Sequence, residues 1–148
     1  MALYAIDRGA VTLASGADVW AMISASSRKL RLIEASFIGQ GATSAAAAYA
    51  EVQLGACTAP TGGSPTSLTA NKLDQDSVAA GSTYAFGHTT PSASFLAKLR
   101  LGWNAYGGGY RWTARRDAEI THRNGGSISA QQTAGTSVCS THAIVDEV

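Results

Sequence analysis

The sequence predicts an all-β protein, a single-domain antiparallel β-sandwich. Three observations lead there. Short stretches alternate apolar and polar residues with period two, as in strands that bury one face. Glycine-rich and Asn-Gly turn signals separate them. No stretch carries a convincing helical period, so two packed sheets or a barrel remain as the ways to bury these faces. With 148 residues the chain suits one domain and one sizeable core, residues 1–148.

Taken in order, residues 3–13 read as an extended segment with a break at Arg8-Gly9. Residues 15–18 form a turn, and 19–25 a short strand with Trp20 and Met22 on one side. In LRLIEASFI (30–38), Ile33, Ala35 and Phe37 alternate with Glu34 and Ser36, which predicts a central strand. Gly39-Gln40-Gly41 ends it as a glycine turn. It lacks the third glycine and the βαβ setting of a dinucleotide site.

Residues 43–58 pose a choice, because four alanines favour a helix. Ala48, Ala50, Val52, Leu54 and Ala56 alternate with Tyr49, Glu51, Gln53 and Gly55, so the period selects a strand over 47–57. Residues 58–83 hold two of the three prolines and many Gly, Ser and Thr. This is a long surface loop, of the length that is usually functional or disordered. Leu68, Leu73 and Val78 are spaced to pin it to the body, with 71–76 as a local turn. Residues 84–88 read as a short strand.

The stretch 94–113, SFLAKLRLGWNAYGGGYRWT, has the densest aromatic content. Phe95, Ala97, Leu99 and Leu101 alternate with Lys98 and Arg100, which predicts a core strand at the centre of the sandwich. Gly107, Gly108 and Gly109 form the turn that returns Tyr110 and Trp112 into it. Charge density peaks at 115–119. Asn124-Gly125 is the strongest turn signal, and 127–134 and 138–148 are the last two strands. The count is eight to ten short strands.

Composition narrows the function classes. Charged residues are 14%, against roughly 25% in an average soluble domain. Ala, Ser, Thr and 16 Gly fill the gap. A surface so poor in charge suits a protein that contacts other protein over much of its area; a small-residue bias of the genome is the plain alternative. The net charge of +1, from 11 basic and 10 acidic residues, supplies no drive toward nucleic acid or an anionic membrane. No apolar run is long enough for a helical span, and the N-terminal residues do not read as a secretory signal. Cys57 and Cys139 sit in alternating stretches and read as buried free thiols, with a single bridge as the alternative.

The chemistry-bearing residues do not converge in sequence. His88, His122 and His142 lack metal-ligand spacing. Asp74 and Asp76 open like a calcium loop, but no glycine or closing glutamate follows, so a capped turn is the expectation. No nucleophile motif occurs, and Asp117 and Glu119 sit beside Arg115 and Arg116 as a charge cluster or a rim of intersubunit ion pairs. No catalytic residue, cofactor or metal is therefore expected. Trp103, Tyr106, Tyr110 and Trp112 have three uses open to them: core packing, a protein interface, or stacking on a sugar or base. The candidate interface residues are Leu3, Tyr4, Leu68, Leu73, Trp103, Tyr106, Tyr110, Arg115 and Arg116.

Five stretches in this order, RKLRLIEASFIGQG (28–41), AEVQLGACTAPTGG (50–63), NKLDQDS (71–77), GGGYRWT (107–113) and IVDEV (144–148), resemble a family of small β-sandwich proteins encoded among bacteriophage structural genes. That resemblance implies a jelly-roll-like sandwich and a structural role, a capsid decoration (cement) protein that stabilises the head shell. It implies the major capsid protein and further copies of itself, as a homotrimer, as partners. It places the protein on the capsid surface of the virion after synthesis in the bacterial cytoplasm. The competing expectations are a carbohydrate- or receptor-binding head-fibre module and a head–tail or tail component. Multiplicity is what would make modest cement contacts effectively permanent.

Overall fold

The structure, a computed structural model, describes residues 2–12, 16–40, 49–88, 90, 94–104, 106–135 and 138–148. The expectations for Ser15, Gly41, the start of the strand at 47–48 and Pro91 lie outside the described residues. All regular structure among the described residues is strand. The strands are β1 (Ala2–Thr12), β2 (Asp18–Ile23), β3 (Lys29–Gly39) and β4 (Tyr49–Thr58), then the short β5 (Thr66–Ser67), β6 (Ala70–Lys72) and β7 (Thr83–Phe86). β8 (Leu96–Asn104), β9 (Gly109–Thr113), β10 (Ile120–Arg123), β11 (Gly126–Ala134) and β12 (Val138–Glu147) complete the set. The count is twelve, because the 58–83 loop itself contributes strands.

The two antiparallel sheets run β10-β3-β12-β1-β6, with β9 also on β3, and β5-β7-β2-β11-β4-β8. The pairings nest: β1 with β12, β2 with β11, β3 with β9 and β10, β4 with β8. A long antiparallel ribbon rolled up so that successive pairs fall in alternate sheets gives this order, which is the jelly roll. β5, β6 and β7 are an insertion in that plan. They extend the first sheet at β1 and the second at β2.

Alternation fixes which residues meet between the sheets. Tyr4, Leu30, Leu32, Phe37 and Val145 from one sheet face Met22, Val52, Leu54, Leu101 and Ile128 from the other, all essentially without solvent contact. The Phe37 ring stacks between Trp20, at 6.4 Å, and Trp103, at 5.5 Å. Such offset aromatic pairs stabilise beyond the area they bury, by about 0.5–1.5 kcal/mol. The Trp20 indole N–H donates to Thr141 Oγ1 at 3.1 Å, so its polar edge is satisfied inside the core.

One outer face is buried as well. Ala21, Ser127, Ser129, Cys57 and Ala85 point away from the core yet are covered. The chain passes from β7, on one side of β2-β11-β4, to β8 on the other. Its described ends lie against the sheet. The Phe95 ring stands over Gly55, where an added Cβ would come within 2.7 Å of it, and Thr61 and Thr90 exchange both backbone hydrogen bonds. Small residues are needed where a crossing chain lies this close. Part of the small-residue content thus packs within the molecule.

Several expectations change. The 94–113 stretch is not central, because β8 ends its sheet and β9 lies on the outer side of β3. Residues 71–72 belong to β6, and the turn begins only after Lys72. Asn124 (φ 60°) and Gly125 (φ 77°) form the expected turn. They do not close a hairpin, since β10 and β11 belong to opposite sheets. The Ser24 hydroxyl holds this corner, accepting from Gly125 N at 3.1 Å and donating to the Gly126 carbonyl at 3.0 Å. The expected break at Arg8-Gly9 is a register shift of β1 against β12.

Candidate functional site

The candidate site is the edge where β8, β9 and β10 end the two sheets. Its upper corner is built by glycine. The Asn104 side chain accepts from Tyr106 N at 2.9 Å, and the Asn104 carbonyl from Gly108 N at 2.7 Å. Gly108 in turn accepts from Gly39 N at 2.8 Å, tying the corner to the end of β3. A Cβ on Gly108 would sit 2.6 Å from the Asn104 carbonyl oxygen, and one on Gly109 would sit 2.9 Å from that of Phe37. Close backbone approach therefore requires glycine at both positions. The result is an ordered corner that presents Tyr106 and Tyr110, with Ile38 on the paired strand, all about half exposed.

Below it, β8 and β10 flank a groove of about 520 Å³ whose walls include Ala56, Leu96, Lys98, Glu119, Ile120 and Arg123. A register shift between Leu99 and Ala97 leaves Lys98 without an opposite residue on β4. Glu119 is held by Arg31, 2.7 Å away, and Arg31 also lies 3.6 Å from the buried Asp146. Backbone hydrogen bonding and then Arg31 keep the Glu119 carboxyl below its usual range. Lys98 and Arg123 are exposed charges of the groove wall.

The candidate interface residues separate into two groups. Tyr106, Tyr110 and Leu73 are exposed, and so are Arg115 and Arg116 in the turn before β10. Trp103 and Tyr4 are not available to a partner: Trp103 is stacked on Phe37 in the core, and Tyr4 is fully buried and donates its hydroxyl to the Val78 carbonyl at 2.8 Å. Both lie on the inward phase of their strands. Leu3 is half-buried. Leu68 packs partly against the core and donates its N–H to the Tyr84 carbonyl, so it pins the insertion as its spacing suggests. Tyr110 pairs with the inward Phe37 yet stays exposed and does not return into the sandwich, whereas Trp112, two residues on, packs against the core.

Sequence reasoning missed Ile38, Tyr49 and Leu96, each at least half exposed. Ile38 follows the inward Phe37 and is therefore out of phase, which was a readable signal. Leu96, between Phe95 and Ala97, is likewise out of phase with Leu99 and Leu101.

The remaining chemistry-bearing groups are engaged within the fold. His88 Nδ1 and Asp18 Oδ2 are 2.7 Å apart and buried, fastening the segment after β7 to the start of β2. Cys57 and Cys139 are free and buried, as expected. Cys57 Sγ donates to Ser129 Oγ at 3.3 Å. Burial pushes the Cys139 thiol up to about 11, which keeps it protonated and unreactive at neutral pH. Asp74 Oδ1 accepts from Asp76 N at 3.1 Å, the capped turn that the spacing suggested. Among the described residues no three His, Cys, Asp or Glu side chains gather as metal ligands. Apolar steps, aromatic hydroxyls and backbone edges are what this site offers, a chemistry of contact. No protein-family model, curated protein or solved structure matches the chain.

Proposed function

We propose that this protein is a structural virion component, a capsid decoration protein that binds the major capsid protein of a phage head and associates with copies of itself as a homotrimer. The observation that carries the reading is the β8–β9–β10 edge of a jelly roll. There a nine-residue strand, paired on one side only among the described strands, lies beside a glycine-locked corner bearing Tyr106, Tyr110 and Ile38. Preordered aromatics contact a partner at little conformational cost. Edge backbone groups pair readily with another chain. Many copies on one shell convert modest single contacts into durable attachment.

The carbohydrate-binding alternative loses its largest platform, because Trp103 is packed in the core. The test is cosedimentation of the full chain with purified expanded heads that lack it. Saturable binding in hundreds of copies per head, with the heads more resistant to heat, is the expected result. A strictly monomeric protein that stays in the supernatant overturns the proposal. Saturation at tens of copies or fewer would place it at a vertex or tail.

A further inference from the structure

We propose that the acidic turn at residues 73–78 of one copy docks into the β8–β10 groove of a second copy, so that subunits join head to tail through opposite edges of the sandwich. The inference rests on the self-association in the reading above and assigns its surfaces. Two features with matching chemistry lie at the same level of one sheet. The cross-strand row Lys72–Tyr4–Val145–Leu32–Ile120 runs straight across it. Lys72 leads into the turn, and Ile120 lines the groove. Four strand spacings separate them, about 19 Å. A neighbour shifted sideways along this row therefore brings its turn to the groove.

The surfaces complement each other. The turn carries Asp74 and Asp76, both exposed, flanked by Leu73 (52% exposed) and Val78 (62% exposed). The groove offers Lys98 and Arg123 beside Leu96 (58% exposed). Its one carboxylate on that wall, Glu119, is already matched by Arg31. The turn is also preformed. Asp76 N and Ser77 N donate to Asp74, and Leu73 N donates to the Leu3 carbonyl at 3.0 Å. Little conformational freedom is lost on docking. Opposite patches of one molecule that recognise each other form a heterologous contact, which closes into a ring when the rotation permits.

Light scattering and sedimentation of the full chain, without capsids, test this. The wild type should run as a multiple of its 15.2 kDa mass. Asp74→Lys/Asp76→Lys and Lys98→Glu/Arg123→Glu should each run as single chains. The quadruple variant, with both signs exchanged, should recover the wild-type mass. All four substituted positions are exposed, and circular dichroism confirms folding. Should a variant unfold, the wild type decides by zero-length carbodiimide coupling in a mixture of light and heavy isotope-labelled chains. A light–heavy link between Lys98 and Asp74 or Asp76 supports the contact. A monomeric wild type, an assembly indifferent to both charge reversals, or an assembly giving only links within one chain overturns it. Assembly without head binding would instead sink the capsid role and leave this contact standing, and head binding by a monomer would do the reverse.

Discussion

The two edges of the sandwich are built on opposite principles. At one, the insertion between β4 and β8 adds β6 to the first sheet and β7 and β5 to the second. Tyr4 donates to Val78, and the Glu147 carboxylate accepts from Gly81 N at 3.0 Å and Ser82 Oγ at 2.6 Å. That edge is tied down by long-range hydrogen bonds from β1 and β12 of the first sheet. At the other, β8 pairs with β4 alone and runs nine residues with its outer side free among the described strands. Lys98 and Arg100 guard it, as charges commonly do on exposed edges. Both edges belong to one jelly roll, so the difference teaches which edge the fold closes for itself and which it leaves open.

The largest expected effect concerns how far the open edge is anchored. Trp103→Ala removes a core ring from β8 and should lower unfolding stability by about 3–5 kcal/mol, read from urea titration. A loss under about 1 kcal/mol would mean that the corner is independent of the core. Gly55→Ala comes next. Its methyl would collide with the Leu96 carbonyl and the Phe95 ring, displacing β8 at a cost of about 1–3 kcal/mol. On the closed edge, Tyr4→Phe deletes only the bond to Val78. It should cost about 1 kcal/mol and speed amide exchange over residues 73–82 while leaving β8 unchanged; equal acceleration at both edges would erase the contrast.

Tyr106→Ser with Tyr110→Ser should change stability by no more than about 0.5 kcal/mol yet weaken head binding in the cosedimentation assay. Undiminished binding would move the contact elsewhere. The smallest effect is acidic. The folded-state pKa of Glu119 is depressed, so its contribution is present above the unfolded value, near 4.5, and disappears as pH falls through the folded one. The melting temperature of the wild type should therefore fall more steeply below that pH than that of Glu119→Gln.

Much of this was legible along the chain. The alternation in 30–38 and 50–57 placed β3 and β4, and Asn124-Gly125 placed a turn. The exposed Tyr106 and Leu73 stood among the candidate residues. What alternation cannot state is a strand's position in its sheet. Leu99, Leu101 and Trp103 show the same period at an edge as at a centre, since one face is buried in either case. For the same reason Trp103, named as a contact residue, lies in the core, while Ile38, passed over, lies outside.

The sequence by itself determined the class: period-two burial, turn chemistry and too little helical period leave two packed sheets as the way to remove these side chains from water. Tertiary structure alone decided which strands became edges. That choice depends on pairings between residues far apart in the chain, such as β1 with β12 and β6 with β1. A local pattern carries no information about them. The insertion closes one edge because its short strands find β1 and β2. The other edge stays open because, among the described strands, β8 finds β4 alone.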